Sequence, residues 1–171
     1  NNFLFFWLYL NMDMALSIKN NILRKAKFSI DKKHRYELSR HWDLSKSDIL
    51  FIMLNPSIAN EDIDDPTIKR LISFTREFKH GGFFVANLFT YITPYSKTLD
   101  TSIGLTKLNL KTIKNLVNKV DEVIYAWGNS IKEPQELKNL VKNPKCFGKN
   151  LNGTPKHPLY LSSNSKLIKF R

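Results

Sequence analysis

The sequence has almost no cysteine, which excludes several kinds of stabilisation and chemistry. Cys146 is the single cysteine among 171 residues, so an internal disulfide and a zinc site built on cysteine thiolates are both excluded. A lone cysteine is more often a core residue than a nucleophile, and its reduced form fits a cytoplasmic protein. We therefore predict a cytoplasmic protein that uses no metal and no other cofactor.

The chain also lacks an apolar run long enough to span a bilayer. Residues 3–10 are strongly apolar, but a membrane-spanning helix needs about 20 such residues. The run has neither a basic start nor a small-residue cleavage site, so it does not resemble a signal peptide. We interpret residues 1–14 as an apolar N-terminal extension and residues 15–171 as a single domain. The hypothesis is that the natural chain starts at Met12 or Met14, with residues 1–11 either upstream read-through or an extra packed segment.

Acidic residues are scarce relative to basic ones. The chain has 15 Asp and Glu against 27 Lys and Arg, which gives a net charge of +12. A strongly basic balance favours a polyanionic partner, either nucleic acid or an anionic membrane surface. The same composition also fits a basic protein without such a partner, so charge alone leaves both interpretations open.

Internal repeats and low-complexity tracts are missing too, and what remains is an alternation of strand and helix patterns. Apolar runs that end at turn signals predict buried strands over 49–54, 83–89, 122–127 and 145–147. Helical spacing of apolar residues predicts helices over 66–78, 105–120 and 131–141. We therefore predict a three-layer α/β/α fold with a central, mainly parallel four-stranded sheet. Alternating patterns at 25–30 and 35–38 add a small N-terminal antiparallel strand pair.

Polar side chains lie where two of the predicted strands end. Asn55, Pro56 and Ser57 follow the run at 49–54, and Asn87 lies near the end of the next strand. Because ligands bind beyond the carboxyl ends of parallel strands, Asn55, Ser57 and Asn87 are candidate site residues. The alternatives are a polar turn after a core strand for Asn55 and backbone hydrogen bonding for Asn87.

Five sequence blocks resemble a family of short bacterial and phage proteins that is known as a domain of unknown function. The resemblance extends over roughly residues 35–162. The blocks are Leu54-Asn55-Pro56-Ser57, Asp64-Asp65-Pro66-Thr67, Asn87-Leu88-Phe89, Ala126-Trp127-Gly128 and Pro155-Lys156-His157-Pro158-Leu159-Tyr160-Leu161.

The order of these blocks also resembles, more distantly, the uracil-DNA glycosylase superfamily. That resemblance implies a fold in which a parallel four-stranded sheet is flanked by helices. It implies that Asn55 positions the attacking water, that Asn87 hydrogen-bonds a flipped base, and that His157 stabilises the departing base. Asn55-Pro56-Ser57 resembles the version of this motif in the mismatch-specific branch, and one departure is that position 55 lacks the aspartate that orients water most strongly.

The same resemblance implies a DNA-binding loop near the end of the chain. Lys156 would contact phosphates, and an apolar wedge into the duplex would come from Leu159, Tyr160 or Leu161. The second departure lies here, since Leu159-Tyr160 stand where the superfamily has Ser-Pro.

The resemblance also implies which residues surround the base. Pro56 and Ser57 would line the substrate pocket, and Phe89 or Tyr91 would stack on the base. In the uracil-specific branch a tyrosine occupies the place of Ser57 and blocks substituents at the pyrimidine 5-position. The smaller serine predicts a pocket that admits a 5-substituted pyrimidine.

Three carboxylates follow the first block. An amide is a poor base, so Asp62, Asp64 or Asp65 would help as a general base. For Asp65 the alternative role is to cap the helix that begins at Pro66.

The predicted function is a monomeric DNA glycosylase that flips a modified pyrimidine out of DNA and hydrolyses its N-glycosidic bond. Such an enzyme would act in defence against phages with modified DNA. Two alternatives stay open: an enzyme acting on free modified nucleotides, and a DNA-binding module that has lost catalysis.

Overall fold

The computed structural model describes residues 13–171, which form one mixed β-sheet with helices packed on it. The sheet has eight strands in the order β1-β2-β3-β5-β4-β6-β7-β8. They are β1 (Asp13–Lys19), β2 (Ile22–Phe28), β3 (Arg35–His41), β4 (Asp48–Met53), β5 (Gly82–Asn87), β6 (Glu122–Tyr125), β7 (Lys145–Cys146) and β8 (Ile168–Lys169).

Three α-helices cover the sheet within the described residues: α1 (Pro66–Glu77), α2 (Lys107–Val117) and α3 (Gln135–Leu140). Helix α1 begins where Asp65 caps it, since the carboxylate accepts a 2.8 Å hydrogen bond from the amide of Ile68. Its apolar face packs with Ile49 and Phe51 of β4 on one side of the sheet. Helices α2 and α3 pack with Leu50 of β4 on the other side.

Strand β4 lies inside the sheet because its sequence is apolar on both faces. Residues 49–52 are completely buried. The strand runs parallel to β5 on one side and to β6 on the other. The carboxyl ends of β4 and β5 therefore lie side by side, at the edge where the Asn-Pro-Ser turn begins.

The predicted fold, a uracil-DNA glycosylase-like three-layer α/β/α domain with a mainly parallel four-stranded sheet, is wrong. Of the seven neighbouring strand pairs, four are antiparallel and three are parallel. The N-terminal strands are no separate pair, because β3 pairs antiparallel with β5 and extends the same sheet. Alternating polarity predicts strands, but it does not tell whether a hairpin stands alone or adds to a sheet edge.

The predicted N-terminal extension lies mostly outside the described residues. Residues 1–12 are not described, whereas Asp13 and Met14 belong to β1 and pair with Phe28 and Lys27. The start at Met12 or Met14 stays a hypothesis. Between residues 13 and 171, no helix has the length and apolar character needed to cross a membrane.

Candidate functional site

A pocket of about 430 Å³ lies at the carboxyl ends of β4 and β5. Asn55 reaches it from the turn after β4, Asn87 from the last position of β5, and His157 from the loop between β7 and β8. These three side chains are separated along the chain and converge on one cavity. Ser57, Asp65, Leu159 and Tyr160 line it as well.

The hydrogen bonds of Asn55 determine which atom it presents to the pocket. Its Nδ2 donates to the carbonyl oxygens of Thr93 at 2.7 Å and Pro56 at 3.0 Å. Both amide hydrogens are used in this way, so Oδ1 is left to accept a hydrogen bond from a ligand or water. Pro56 is itself buried and acts through its carbonyl, which also accepts from the amide of Thr93.

Asn87 presents the opposite end of its amide. Its Oδ1 accepts from Nη2 of Arg35 at 3.4 Å, and no described residue accepts from its Nδ2. The strand end is held by Asn109 of α2, whose Nδ2 donates to the carbonyls of Asn87 at 2.8 Å and Leu88 at 3.1 Å. Asn87 is 2% exposed, so this amide offers a directed donor at the floor of the pocket.

His157 also has an assigned hydrogen-bonding role. Its Nδ1 accepts from the backbone amide of Leu159 at 3.3 Å, so the neutral imidazole carries its proton on Nε2. Burial lowers the pKa of His157, and the nearby Asp65 carboxylate opposes that shift. The side chain is therefore neutral at pH 7 and acts as a donor through Nε2.

Arg35 is the pocket residue that the sequence analysis missed. It is 3% exposed and lies at the start of β3. Nη1 donates to the carbonyl of Ala59 at 2.5 Å, and Nε is buried with no hydrogen-bond partner among residues 13–171. Burial lowers the pKa of Arg35 to about 10, with Asp65 opposing and Arg40 adding to the shift. Because β3 is rich in polar residues, its sequence carried no signal that singled out Arg35.

The three candidate carboxylates have different surroundings. Asp62 is exposed and does not line the pocket. Asp64 binds Nη2 of Arg24 at 2.7 Å and Nη2 of Arg40 at 2.8 Å. Asp65 lines the pocket and also caps α1, so the two roles proposed for it are compatible.

The loop between β4 and α1 is attached to the antiparallel strands by arginines. Arg24 of β2 donates from Nε to the carbonyl of Glu61 at 2.7 Å. Arg40 of β3 donates from Nη2 to the carbonyl of Asn60 at 2.5 Å. Because both side chains also bind Asp64, strands β2 and β3 hold the wall of the pocket in place.

Two predicted stacking residues lie elsewhere. Phe89 and Tyr91 line a second pocket of about 270 Å³, together with His34. Phe89 is 8% exposed and belongs to the core, whereas Tyr91 is half exposed and makes an edge contact with His34. The structure does not place either ring in the pocket of Asn55, Asn87 and His157.

The rim of the pocket contains the remaining predicted residues. Tyr160 is 91% exposed, and Ile58, which also lines the pocket, is 59% exposed. Leu159 is half-buried in the lining. Leu161 packs towards α1 and accepts a hydrogen bond on its carbonyl from Arg70. Lys156 is exposed beside the pocket and does not line it.

The site thus combines the donors of Asn87, His157 and Arg35 with the amide acceptor of Asn55 and the carboxylate of Asp65 at the edge of a mixed sheet. The family model described as "Protein of unknown function (DUF1643)" matches residues 35–159, and the chain belongs to this family. The matched segment contains every residue that lines the pocket except Tyr160. No curated protein and no solved structure matches the chain.

Proposed function

We propose that the protein is a DNA glycosylase that acts in the cytoplasm and hydrolyses the N-glycosidic bond of a flipped, 5-substituted pyrimidine. The observation that carries the proposal is the convergence of Asn55, Asn87 and His157 on one pocket. The proposal rests on these side chains and on the resemblance of the sequence blocks, and it does not depend on the fold. The net charge of +12 supports a nucleic-acid partner.

The base is held by donors. Asn87 Nδ2 donates to a carbonyl oxygen on the base edge, since its own Oδ1 is engaged by Arg35. His157 Nε2 donates to the base carbonyl oxygen on which negative charge develops as the bond from the sugar carbon to the base nitrogen breaks. Donors aimed at developing charge act like an oxyanion hole, and losing one typically costs about 10²- to 10³-fold in rate.

The water is held by acceptors. Asn55 Oδ1 accepts one hydrogen of the attacking water, whose oxygen forms the new bond to the sugar carbon. The water proton passes to the Asp65 carboxylate and from there to solvent, and the departing base nitrogen takes a proton from solvent. The negative charge of Asp65 also favours the cationic character of the sugar in the transition state.

Two features of the rim support action on DNA. Tyr160 is exposed in the pocket lining, and it would fill the gap that a flipped nucleotide leaves in the duplex. Lys156 is exposed nearby and is available to phosphates. Ser57 in the lining leaves space for a 5-substituent, which supports the choice of modified phage DNA as the target.

The test is abasic-site formation. The wild-type protein is incubated with duplex DNA containing uracil or a 5-substituted uracil, and abasic sites are detected by alkaline strand cleavage. Asn55→Ala and His157→Ala are each expected to lower the rate at least about 100-fold while salt-dependent DNA binding is retained. Matched controls are Asn143→Ala and His80→Ala, because Asn143 is exposed and His80 precedes β5 at the opposite edge of the sheet.

The same experiment separates the alternatives. DNA binding with no product, unchanged in both site variants, would contradict the glycosylase and support a binding module. Turnover of a free modified nucleotide with weak salt dependence would instead support an enzyme of nucleotide metabolism, because few phosphates would then be contacted.

A further inference from the structure

Arg35 differs from the other buried arginines of the antiparallel strands. Arg24 and Arg40 lie within hydrogen-bond distance of the Asp64 carboxylate. Arg35 is as deeply buried as Arg24, and the Asp65 carboxylate acts on its charge without forming an ion pair with it among the described residues. Removing a charge from water is costly unless a partner of opposite charge or strong acceptors replace the water. The unpaired arginine is also the one that lines the pocket.

The hydrogen bonds of Arg35 leave capacity for a ligand. A guanidinium has five N–H donors, and two of them are used here, one to Ala59 and one to Asn87. These two bonds fix the plane of the guanidinium between the floor of the pocket and the turn that follows Ser57. A planar, fixed guanidinium is suited to binding an oxygen pair, such as a carboxylate.

The position beside Asn87 indicates which part of a ligand Arg35 meets. Nη2 of Arg35 is 3.4 Å from Oδ1 of Asn87, while Nδ2 of the same amide faces the pocket. If a carbonyl oxygen of the base accepts a hydrogen bond from Asn87 Nδ2, the ring substituent next to that carbonyl therefore lies towards Arg35. Asn87 Nδ2 and Arg35 are both donors, so an oxygen acceptor is favoured over an amino group there.

We propose that Arg35 is a specificity-determining residue. It binds an anionic or strongly accepting oxygen of the base substituent that lies next to the carbonyl held by Asn87. This inference rests on the proposed function and narrows its substrate class. The preferred substrate is a pyrimidine with a carboxylate-like 5-substituent, followed by a hydroxymethyl group, and then by a methyl group.

The test uses one series of duplexes in which only the 5-substituent changes: 5-carboxyuracil, 5-hydroxymethyluracil and thymine. Binding is measured with 2′-fluoroarabino sugars, which resist hydrolysis, and cleavage is measured with natural sugars. Wild-type protein is expected to bind the carboxy duplex at least about 10-fold more tightly than the thymine duplex. Equal affinity for the three duplexes overturns the proposal without requiring any variant.

Variants separate the role of Arg35 from the intrinsic reactivity of the bases. The 5-substituent changes the leaving ability of the base in any enzyme, so this effect persists in Arg35→Met, whereas the contribution of Arg35 is lost. The ratio of the affinity for the 5-carboxyuracil duplex to that for the thymine duplex is expected to fall at least about 10-fold in Arg35→Met. It should fall less in Arg35→Lys, which keeps the charge but loses the planar guanidinium. An unchanged ratio in a folded Arg35→Met protein overturns the proposal.

Other outcomes distinguish this inference from the proposed function. Arg35-dependent preference in binding without any cleavage supports the inference and contradicts the glycosylase. Cleavage without the preference supports the glycosylase and overturns the inference. Arg35-dependent binding of deoxyuridine 5′-monophosphate, with none for deoxyuridine, assigns the arginine to a phosphate and also overturns it.

Discussion

The Nδ2 atom of Asn55 donates a 2.7 Å hydrogen bond to the carbonyl oxygen of Thr93. This contact joins the turn after β4 to the segment after β5, and its carbonyl acceptor assigns the orientation of the Asn55 amide. The consequence is that Asn55 offers the pocket an acceptor. A residue that holds a water for attack needs an acceptor, so the orientation is consistent with the role proposed for Asn55.

The first prediction concerns the replacement Asn55→Asp. A carboxylate would face two carbonyl oxygens, those of Thr93 and Pro56, and we expect a loss of about 1–3 kcal/mol in the free energy of unfolding at pH 7. This repulsion raises the pKa of the new carboxyl in the folded state. The deficit is therefore largest at neutral pH and shrinks as the pH falls towards about 3.5, where a largely protonated carboxyl still offers only one donor to the two carbonyl oxygens.

Urea unfolding at pH 7 and at pH 3.5 checks this expectation. Asn143→Asp is the matched control, because Asn143 is exposed and makes no hydrogen bond within the described residues. Equal stability of the two variants at pH 7 would contradict the assigned orientation of Asn55.

The second prediction concerns Asp65 and the pKa of His157. Burial lowers the pKa of His157 below its ordinary value of 6.5, and the Asp65 carboxylate opposes this. Asp65→Asn should lower the pKa of His157 further, as measured by NMR titration of the imidazole protons. Asparagine still caps α1, so the helix should remain, and Asp62→Asn serves as the exposed control.

The pH dependence of stability follows from the direction of this shift. Between 6.5 and the lowered folded pKa of His157, the unfolded chain binds more protons than the folded one. The contribution of this group to stability therefore falls as the pH falls through that window. In Asp65→Asn, the pH range over which His157 makes stability depend on pH should extend to lower pH. In His157→Ala, this contribution to the pH dependence of stability should be absent. A His157 pKa that rises in Asp65→Asn would show that the carboxylate does not act on this imidazole.

The third prediction uses two glycines with nearly the same backbone conformation. Gly128 has φ of +81° and Gly153 has φ of +82°. Replacing either with alanine places a side chain in the left-handed region, so each should lose about 1–2 kcal/mol of stability. A Cβ at position 128 would lie 3.4 Å from Cβ of His157, whereas one at position 153 meets nothing within 4 Å.

The methyl group of Gly128→Ala would be in van der Waals contact with His157, so this variant should also alter the surroundings of the imidazole. Thermal unfolding should show similar losses for both variants, while only Gly128→Ala should change the NMR titration of His157 and the cleavage rate. If Gly153→Ala lowers the rate to the same extent, the effect comes from general destabilisation and not from contact with His157.

The fourth prediction concerns the exposed tyrosine at the rim. Tyr160→Ala should change stability by no more than about 0.5 kcal/mol, because the side chain is 91% exposed. Cleavage of duplex DNA should fall while cleavage of single-stranded DNA is retained, since only the duplex leaves a gap to fill. Tyr95→Ala is the control, because Tyr95 is 72% exposed and does not line the pocket. A parallel loss on both kinds of DNA would contradict a wedge role.

The elements of the sheet centre could be predicted because their apolar runs are unbroken. The run at 49–54 corresponds to β4 (Asp48–Met53), and the pattern at 66–78 corresponds to α1 (Pro66–Glu77). Local patterns carry this information, since burial on both faces and helical spacing are properties of adjacent residues. Strand direction and sheet order depend on partners far along the chain, so the fold class was wrongly predicted.

The hairpin of β1 and β2 had a usable signal that was not recognised. Asn20 and Asn21 connect the strands, and both have positive φ, of 53° and 61°. Two such residues are typical of the tight turns that join antiparallel strands, and asparagine tolerates them well. The pairing of Asp13 and Met14 with β2 shows that the assigned boundary at residue 14 divides a continuous strand.

The site was predicted in part, and the missing part has a clear physical origin. Asn55 follows the end of β4 and Asn87 is the last residue of β5, so their convergence could be anticipated from local patterns. Arg35 lies in an antiparallel strand that pairs with β5, and only the three-dimensional pairing brings it to the pocket. Phe89 and Tyr91 were expected to line the same pocket. After Leu88, however, the side chains of this segment line a second cavity.

The arginines of β2 and β3 have a consequence for protein engineering. Arg24 and Arg40 attach the loop that precedes α1, and Arg35 reaches the pocket floor from the same part of the sheet. A chimaera that transplants only the parallel strands and their loops onto another scaffold would inherit the amides and the imidazole with an unsupported wall. To transfer the complete cavity, the antiparallel strands β2 and β3 must be transplanted as well, whatever reaction the recipient scaffold is meant to catalyse.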